Sequence, residues 1–245
     1  MKVFLDVGAH NGESLHAVRD PKYGFDRIYC FEPARSCWPA LEAVRDHRVT
    51  VCRFGLWDRT CKQPLYDAGS IGASLFADKF KTRPAEEVAR FVRATEWFRT
   101  SLGAGDEIYL KLNCEGAEFD IVEDLLDSGE FARVRSAMID PDVRKVPSRA
   151  HRERELRARL TAAHLTNYFL EEDVMVGATH RERIQNWLGV AAAEKRSWSA
   201  RARQLVYVIL EAAHGRREPL RAALPAAVRG AGPGSRAGRA QRRCS

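Results

Sequence analysis

The chain has 245 residues, 45% of them apolar and 30% charged, which is room for one sizeable domain with a buried core and cramped for two. Its net charge of +7 lies wholly in residues 215–245, where eight arginines face a single acid, Glu218, so the rest of the chain balances to zero. A balanced body argues against a nucleic-acid substrate, whose phosphates call for positive charge spread over the binding face. Apolar runs such as 205–210 are too short to span a membrane.

No basic, then apolar, then small-residue pattern opens the chain, so a cytoplasmic location is expected. The six cysteines form no C-x-x-C pair and read as buried, reduced thiols rather than metal ligands.

Taken in order, residues 2–7 read as a short buried strand that runs into the glycine turn 8–12, followed by a helix over 13–20. A second buried strand at 28–31 stops at Glu32-Pro33, because proline cannot donate to a strand ladder. A helix over 36–46 and a strand over 49–54 complete a strand–helix rhythm that implies parallel pairing with right-handed crossovers. Residues 55–58 and 63–66 read as two arms of a hairpin, and 69–74 as a loop. Val88, Phe91, Val92, Thr95, Phe98 and Leu102 share one face of an expected helix. A strand at 108–112, a helix at 116–126 and a strand at 134–139 follow. A helix marked by Leu156, Leu160 and Ala163, a late strand at 168–170 and an amphipathic helix over 198–213 complete the series. The expected organisation is an enzymatic domain over 1–190, a helical extension over 191–214 and a basic tail over 215–245. The tail's Ala, Gly, Pro and Arg offer too little apolar surface to offset ordering entropy.

Chemistry concentrates at three places. Asp6-x-Gly8-x-His10-x-Gly12 sits at a strand-to-helix turn, where glycine lets a nucleotide-like ligand press against the backbone; His10 interrupts the full dinucleotide pattern. Glu32 lies twenty residues past Gly12 at the end of the second strand, where a carboxylate can accept both hydroxyls of a ribose. Lys111, Asn113 and Glu115 alternate at the carboxyl edge of the sheet, the edge at which open α/β sheets bind ligands. Asp140 and Asp142 end the fifth core strand without a clear third ligand for a divalent ion, so they read as a solvated strand end and no metal is expected. His151, His164 and His180 have no spaced partners and read as surface or helix residues.

The runs 4–12, 31–33 and 110–118 resemble, together and in order, the signature blocks of FkbM-type methyltransferases. The resemblance covers about residues 3–140, with weaker support to about 190. It implies a Rossmann-like α/β sheet of the class I S-adenosylmethionine-dependent kind, mostly parallel with flanking helices. It also implies methyl transfer to a small-molecule acceptor, a hydroxyl of a sugar or secondary metabolite. On that resemblance Asp6, Gly8 and Gly12, with His10 among them, would line the methionine and ribose side of the cofactor. Glu32 would hold the ribose, and Asp58 would meet the adenine amino group or else simply begin a turn with Arg59. Lys111, Asn113 and Glu115 would form the acceptor side. Many relatives carry aspartate where this chain has Asn113, and an amide cannot act as a base, so proton removal would fall to Glu115 or Lys111. Relatives also carry a segment before the first strand that helps cover the pocket. Two rivals share the turn and Glu32: a nicotinamide-dependent oxidoreductase and a degenerate Rossmann-like binding module.

Overall fold

The computed structural model describes residues 1–79, 83–174 and 177–194. Its main sheet holds six strands: β1 (Lys2–Val7), β2 (Arg27–Phe31), β3 (Val49–Cys52), β7 (Glu107–Leu112), β8 (Val134–Ile139) and β9 (Tyr168–Leu170). Their order is β3-β2-β1-β7-β8-β9, and every neighbouring pair is parallel. The order reverses between β1 and β7, and the crevice beyond the strand ends at such a switch point is where doubly wound sheets bind ligands. The chain is therefore an α/β protein with a Rossmann-like sheet.

Alternation along the strands sorts two cores. Val3, Leu5 and Val7 of β1 face α3 (Ala94–Ser101) and α4 (Glu118–Asp127), meeting Trp97, Phe98, Ile121, Val122 and Leu125. Phe4 of β1, Ile28 and Cys30 of β2 and Tyr109 of β7 face the other way. They meet Leu15 of α1 (Glu13–Val18), Leu41 of α2 (Trp38–Glu42), and Ile184, Trp187 and Leu188 of α7 (His180–Glu194). Helix α5 (Arg152–Ala162) buries Leu156 and Leu160 in the first core, and the short α6 (Glu171–Val174) leads from β9.

Several expectations need correction. Residues 85–93 are a strand, β6 (Ala85–Arg93), and only 94–101 are helical. Ala89 and Phe91 are buried while Val88 is 57% exposed, a two-residue alternation that a helical reading of the same apolar positions overlooks. The expected hairpin does not form either. β4 (Gly55–Trp57) and β5 (Cys61–Tyr66) both flank β6, parallel and antiparallel respectively, so the strand from later in the chain takes the place between the two arms. Helix α7 has no counterpart among the expected elements, although Ile184, Trp187, Leu188 and Ala191 carry helical spacing and are all buried. It runs past position 190 to Glu194. The helix expected over 198–213 and the basic tail over 215–245 lie outside the described residues. No helix among the described residues is long and apolar enough to cross a membrane.

Candidate functional site

A cavity of about 200 Å³ opens at the carboxyl edge of β1, β2 and β7. Of the residues anticipated for cofactor and acceptor it is lined by Gly8, His10, Glu32, Lys111, Asn113 and Glu115. Asp6 and Gly12 stand behind this lining, and Asp58 is not brought to it. The Asp58 carboxylate instead forms a two-pronged pair with the Arg59 guanidinium, both contacts at 2.8 Å.

Gly8 has a structural reason to be glycine. Its φ is +79°, and a Cβ there would fall 1.8 Å from the Asn113 carbonyl oxygen, so β1 and β7 can close at the turn only without a side chain. Asp6 and Lys111 are register partners in that same pair of strands. Both are buried, and Lys111 Nζ lies 2.9 Å from Asp6 Oδ1 while donating to the Gly8 carbonyl at 2.7 Å. Burial pushes the Asp6 carboxyl above its ordinary range, and the Lys111 ammonium opposes that shift. The lysine thereby ties the strand pair to the glycine turn.

Glu32 holds the turn from the other side. Its Oε2 accepts the His10 amide at 2.7 Å and its Oε1 the Ala34 amide at 2.8 Å, in a position only 5% exposed. Burial raises its pKa against the pull of those two amides. Each oxygen keeps a second lone-pair direction. His10 sits at φ +47° with Nδ1 at 2.9 Å from Glu13 Oε1.

The alternation expected for Lys111, Asn113 and Glu115 ends with the strand, and the three side chains part company. Asn113 Nδ2 donates to Asp140 at 3.4 Å. Glu115, at φ +58°, turns to Lys79 at 2.7 Å and Lys145 at 3.7 Å, and its carbonyl accepts from Ser74 Oγ. Burial and then Asp142 raise the Glu115 pKa, with Lys79 pulling it back. The loop that makes this divergence is closed by Glu118, which is fully buried and accepts the amides of Cys114 at 2.7 Å and Gly116 at 3.0 Å. Burial, with Asp142 adding to it, pushes Glu118 up to about 8. Asp140 and Asp142 are taken by Arg144 and Lys145, and no group of three or more potential metal ligands gathers among the described residues.

Sequence reasoning missed two parts of the lining. One wall is apolar: Pro33, Leu56, Leu65, Leu75 and Phe91, with the Phe91 ring over Gly55, where a Cβ would fall 2.6 Å from it. Most of these residues come from β4, β5, β6 and the loop between them, so their convergence depends on the small sheet that the helical reading of 88–102 dissolved. The other part is Glu13, Ser14 and His180. His180 is the first residue of α7, more than 160 positions from its partner Ser14, whose Oγ lies 2.9 Å from His180 Nε2. The helical spacing of 184–191 is the one signal that could have found it.

Comparison with known proteins is sparse. No family model matches the chain, and no curated protein matches it either. Among solved structures, the crystal structure of methyltransferase FkbM from Methylobacillus flagellatus KT matches at 17% identity with a TM-score of 0.41, covering 59% of this chain and 34% of that one. This chain therefore spans about a third of that protein's length. The fold assignment rests on the strand order, not on this likeness.

Proposed function

We propose that the protein is an S-adenosylmethionine-dependent methyltransferase acting on a hydroxyl of a small molecule. The observation that carries this reading is the sign of the cavity's charge. Of the lining groups, Glu115 is matched by Lys79 and Lys145 and the ammonium of Lys111 by Asp6 and the Gly8 carbonyl, which leaves Glu13 and Glu32 to set a net acidic sign. A sulfonium donor is a net cation and suits such a site. A nicotinamide dinucleotide must seat a pyrophosphate at the start of the first helix, where this chain puts the carboxylate of Glu13. The strand order is shared with dinucleotide-binding sheets, which keeps the oxidoreductase as the rival to test.

The residues present suit the donor. The free lone pairs of Glu32 would take the ribose hydroxyls, and the apolar wall around Leu56 and Phe91 would cover the adenine. The cavity is smaller than the roughly 300–1,000 Å³ usual for small-molecule sites. The strip carrying Ser70, Ile71, Ala73 and Leu75 also lines it, and admitting the whole donor requires part of the lining to yield. When bound, the donor supplies a methyl group activated by positive sulfur. What remains for the chain is to align an acceptor oxygen and take its proton. Lys111, already a donor to Gly8, cannot take it; Glu115 can, as a carboxylate whose pKa burial raises. Asn113 orients the acceptor through its amide.

Isothermal titration of the full chain with S-adenosylhomocysteine and with NAD, side by side, tests the reading. The first is expected to bind and the second not; the reverse result overturns the proposal, and binding of neither favours a degenerate module. Glu32→Ala is expected to weaken S-adenosylhomocysteine by about 1.5–3 kcal/mol, the scale of hydrogen bonds to a charged group. Unchanged affinity would remove Glu32 from the site.

A further inference from the structure

The polar end of the cavity holds three side chains that neither the acceptor group nor the ribose grip uses: Glu13 and Ser14 on the first turn of α1, and His180 at the start of α7. Ser14 is 2% exposed, so it is out of bulk water, yet it belongs to the lining of the cavity. Its Oγ lies 2.9 Å from His180 Nε2, and neither side chain makes another hydrogen bond among the described residues. A neutral imidazole has one N–H and a serine has one O–H. If the ring donates to Ser14, the hydroxyl hydrogen is left over; if Ser14 donates to Nε2, the N–H on Nδ1 is left over. In both tautomers one donor hydrogen remains unspent. Burial and the Lys111 charge lower the His180 pKa, while Asp6 and Glu13 oppose them, so the neutral ring is the form to count near neutral pH. The amides at the start of α7 do not compete for this role. Those of Ala178 and Thr179 are taken by Glu182 Oε2.

Beside this spare donor stands an acid of opposite use. Glu13 gives one oxygen to His10 and keeps its side chain 41% exposed. Burial pushes its pKa up, but the hydrogen bond from His10 and its own backbone bring it below the ordinary carboxylate value. A hydrogen-bond donor and an ionised carboxylate, one residue apart on one helical turn, are complementary to the two charged ends of an α-amino acid.

We propose that Ser14 and His180 bind the carboxylate, and Glu13 the ammonium, of the amino-acid tail of the methyl donor. The assignment rests on the methyl-donor reading and deepens it, because a dinucleotide has no zwitterionic tail to offer. It also gives α7 a place in ligand binding, since this helix delivers His180 to the cavity.

The test titrates the full chain with S-adenosylhomocysteine and with 5′-methylthioadenosine, which keeps the nucleoside and lacks the amino-acid tail. The wild type is expected to prefer the former. His180→Ala and Ser14→Ala are each expected to weaken S-adenosylhomocysteine about 10- to 100-fold while 5′-methylthioadenosine stays within about threefold. His180→Asn, which retains a donor, is expected to recover part of the preference, and thermal melting of each variant checks that it folds. Equal affinity of the wild type for the two ligands, or a variant that weakens both alike, overturns the tail subsite and leaves the nucleoside site standing. If the wild type binds neither, the methyl-donor reading falls with it.

Discussion

Gly8 has two claims on its lack of a side chain: the ligand expected from the sequence, and the Asn113 carbonyl that the structure brings against it. The second alone makes Gly8→Ala costly. A positive φ strains any L side chain by about 1–3 kcal/mol, and the collision with backbone across the β1–β7 junction adds to that. Urea unfolding of the variant is expected to show a loss of at least that size; a stable Gly8→Ala protein would mean the junction is looser than described. Glu118 makes a prediction in pH. Its carboxyl is raised to about 8 in the folded chain against an ordinary value of 4.5, so between these limits the folded state holds a proton that the unfolded state has released. Stability on this account is full at acid pH and falls as pH rises from about 5 to 8, by up to about 1.4 kcal/mol per pH unit. Glu118→Gln, which cannot titrate, is expected to flatten that slope in a series of melts, at the cost of one of the two loop amides. A slope unchanged by the substitution would place its origin elsewhere.

At the scale of elements, α7 closes the face of the sheet opposite α3 and α4. Trp187 is fully buried, its ring centroid 5.9 Å from that of Phe4 and its Nε1 donating to Ser136. Trp187→Ala is expected to cost about 3–5 kcal/mol, the range for emptying an aromatic site in a core, read as a fall in the denaturation midpoint. A loss below about 1 kcal/mol would show that α7 is not integral to the fold. The apolar residues at 88–102 satisfy a helical period from Thr95 onward and a strand alternation before it, and a single window averages the two. That average is why β6 reads as helix from the sequence. Strands β4 and β5 are recognisable there, yet their pairing is not, since neighbours in sequence can be separated by a strand that arrives later. The parallel core strands are legible because each is a short apolar run that ends in a glycine, a proline or a polar residue.

For the whole molecule, the distribution of charge separates two regions. The seven excess positive charges belong to residues 215–245, and the remainder of the chain is neutral. A chain ending near Gly215 is therefore expected to lose retention on a cation exchanger while keeping its affinity for S-adenosylhomocysteine within about twofold, because the residues found to line the cavity all lie between positions 7 and 180. A larger loss of affinity would tie the tail to the site. The sequence by itself determined the kind of sheet, the glycine turn and the carboxylate of Glu32 at the end of the second strand. Those features are local: a strand, its terminating residue and the acid beside it lie within a few positions of one another. Only the tertiary structure decided that Lys111 is spent on Asp6, that Glu115 sits at a positive φ paired with Lys79, and that His180 meets Ser14. Each of those contacts joins residues far apart in the chain or hangs on a backbone angle, and no period or spacing records either.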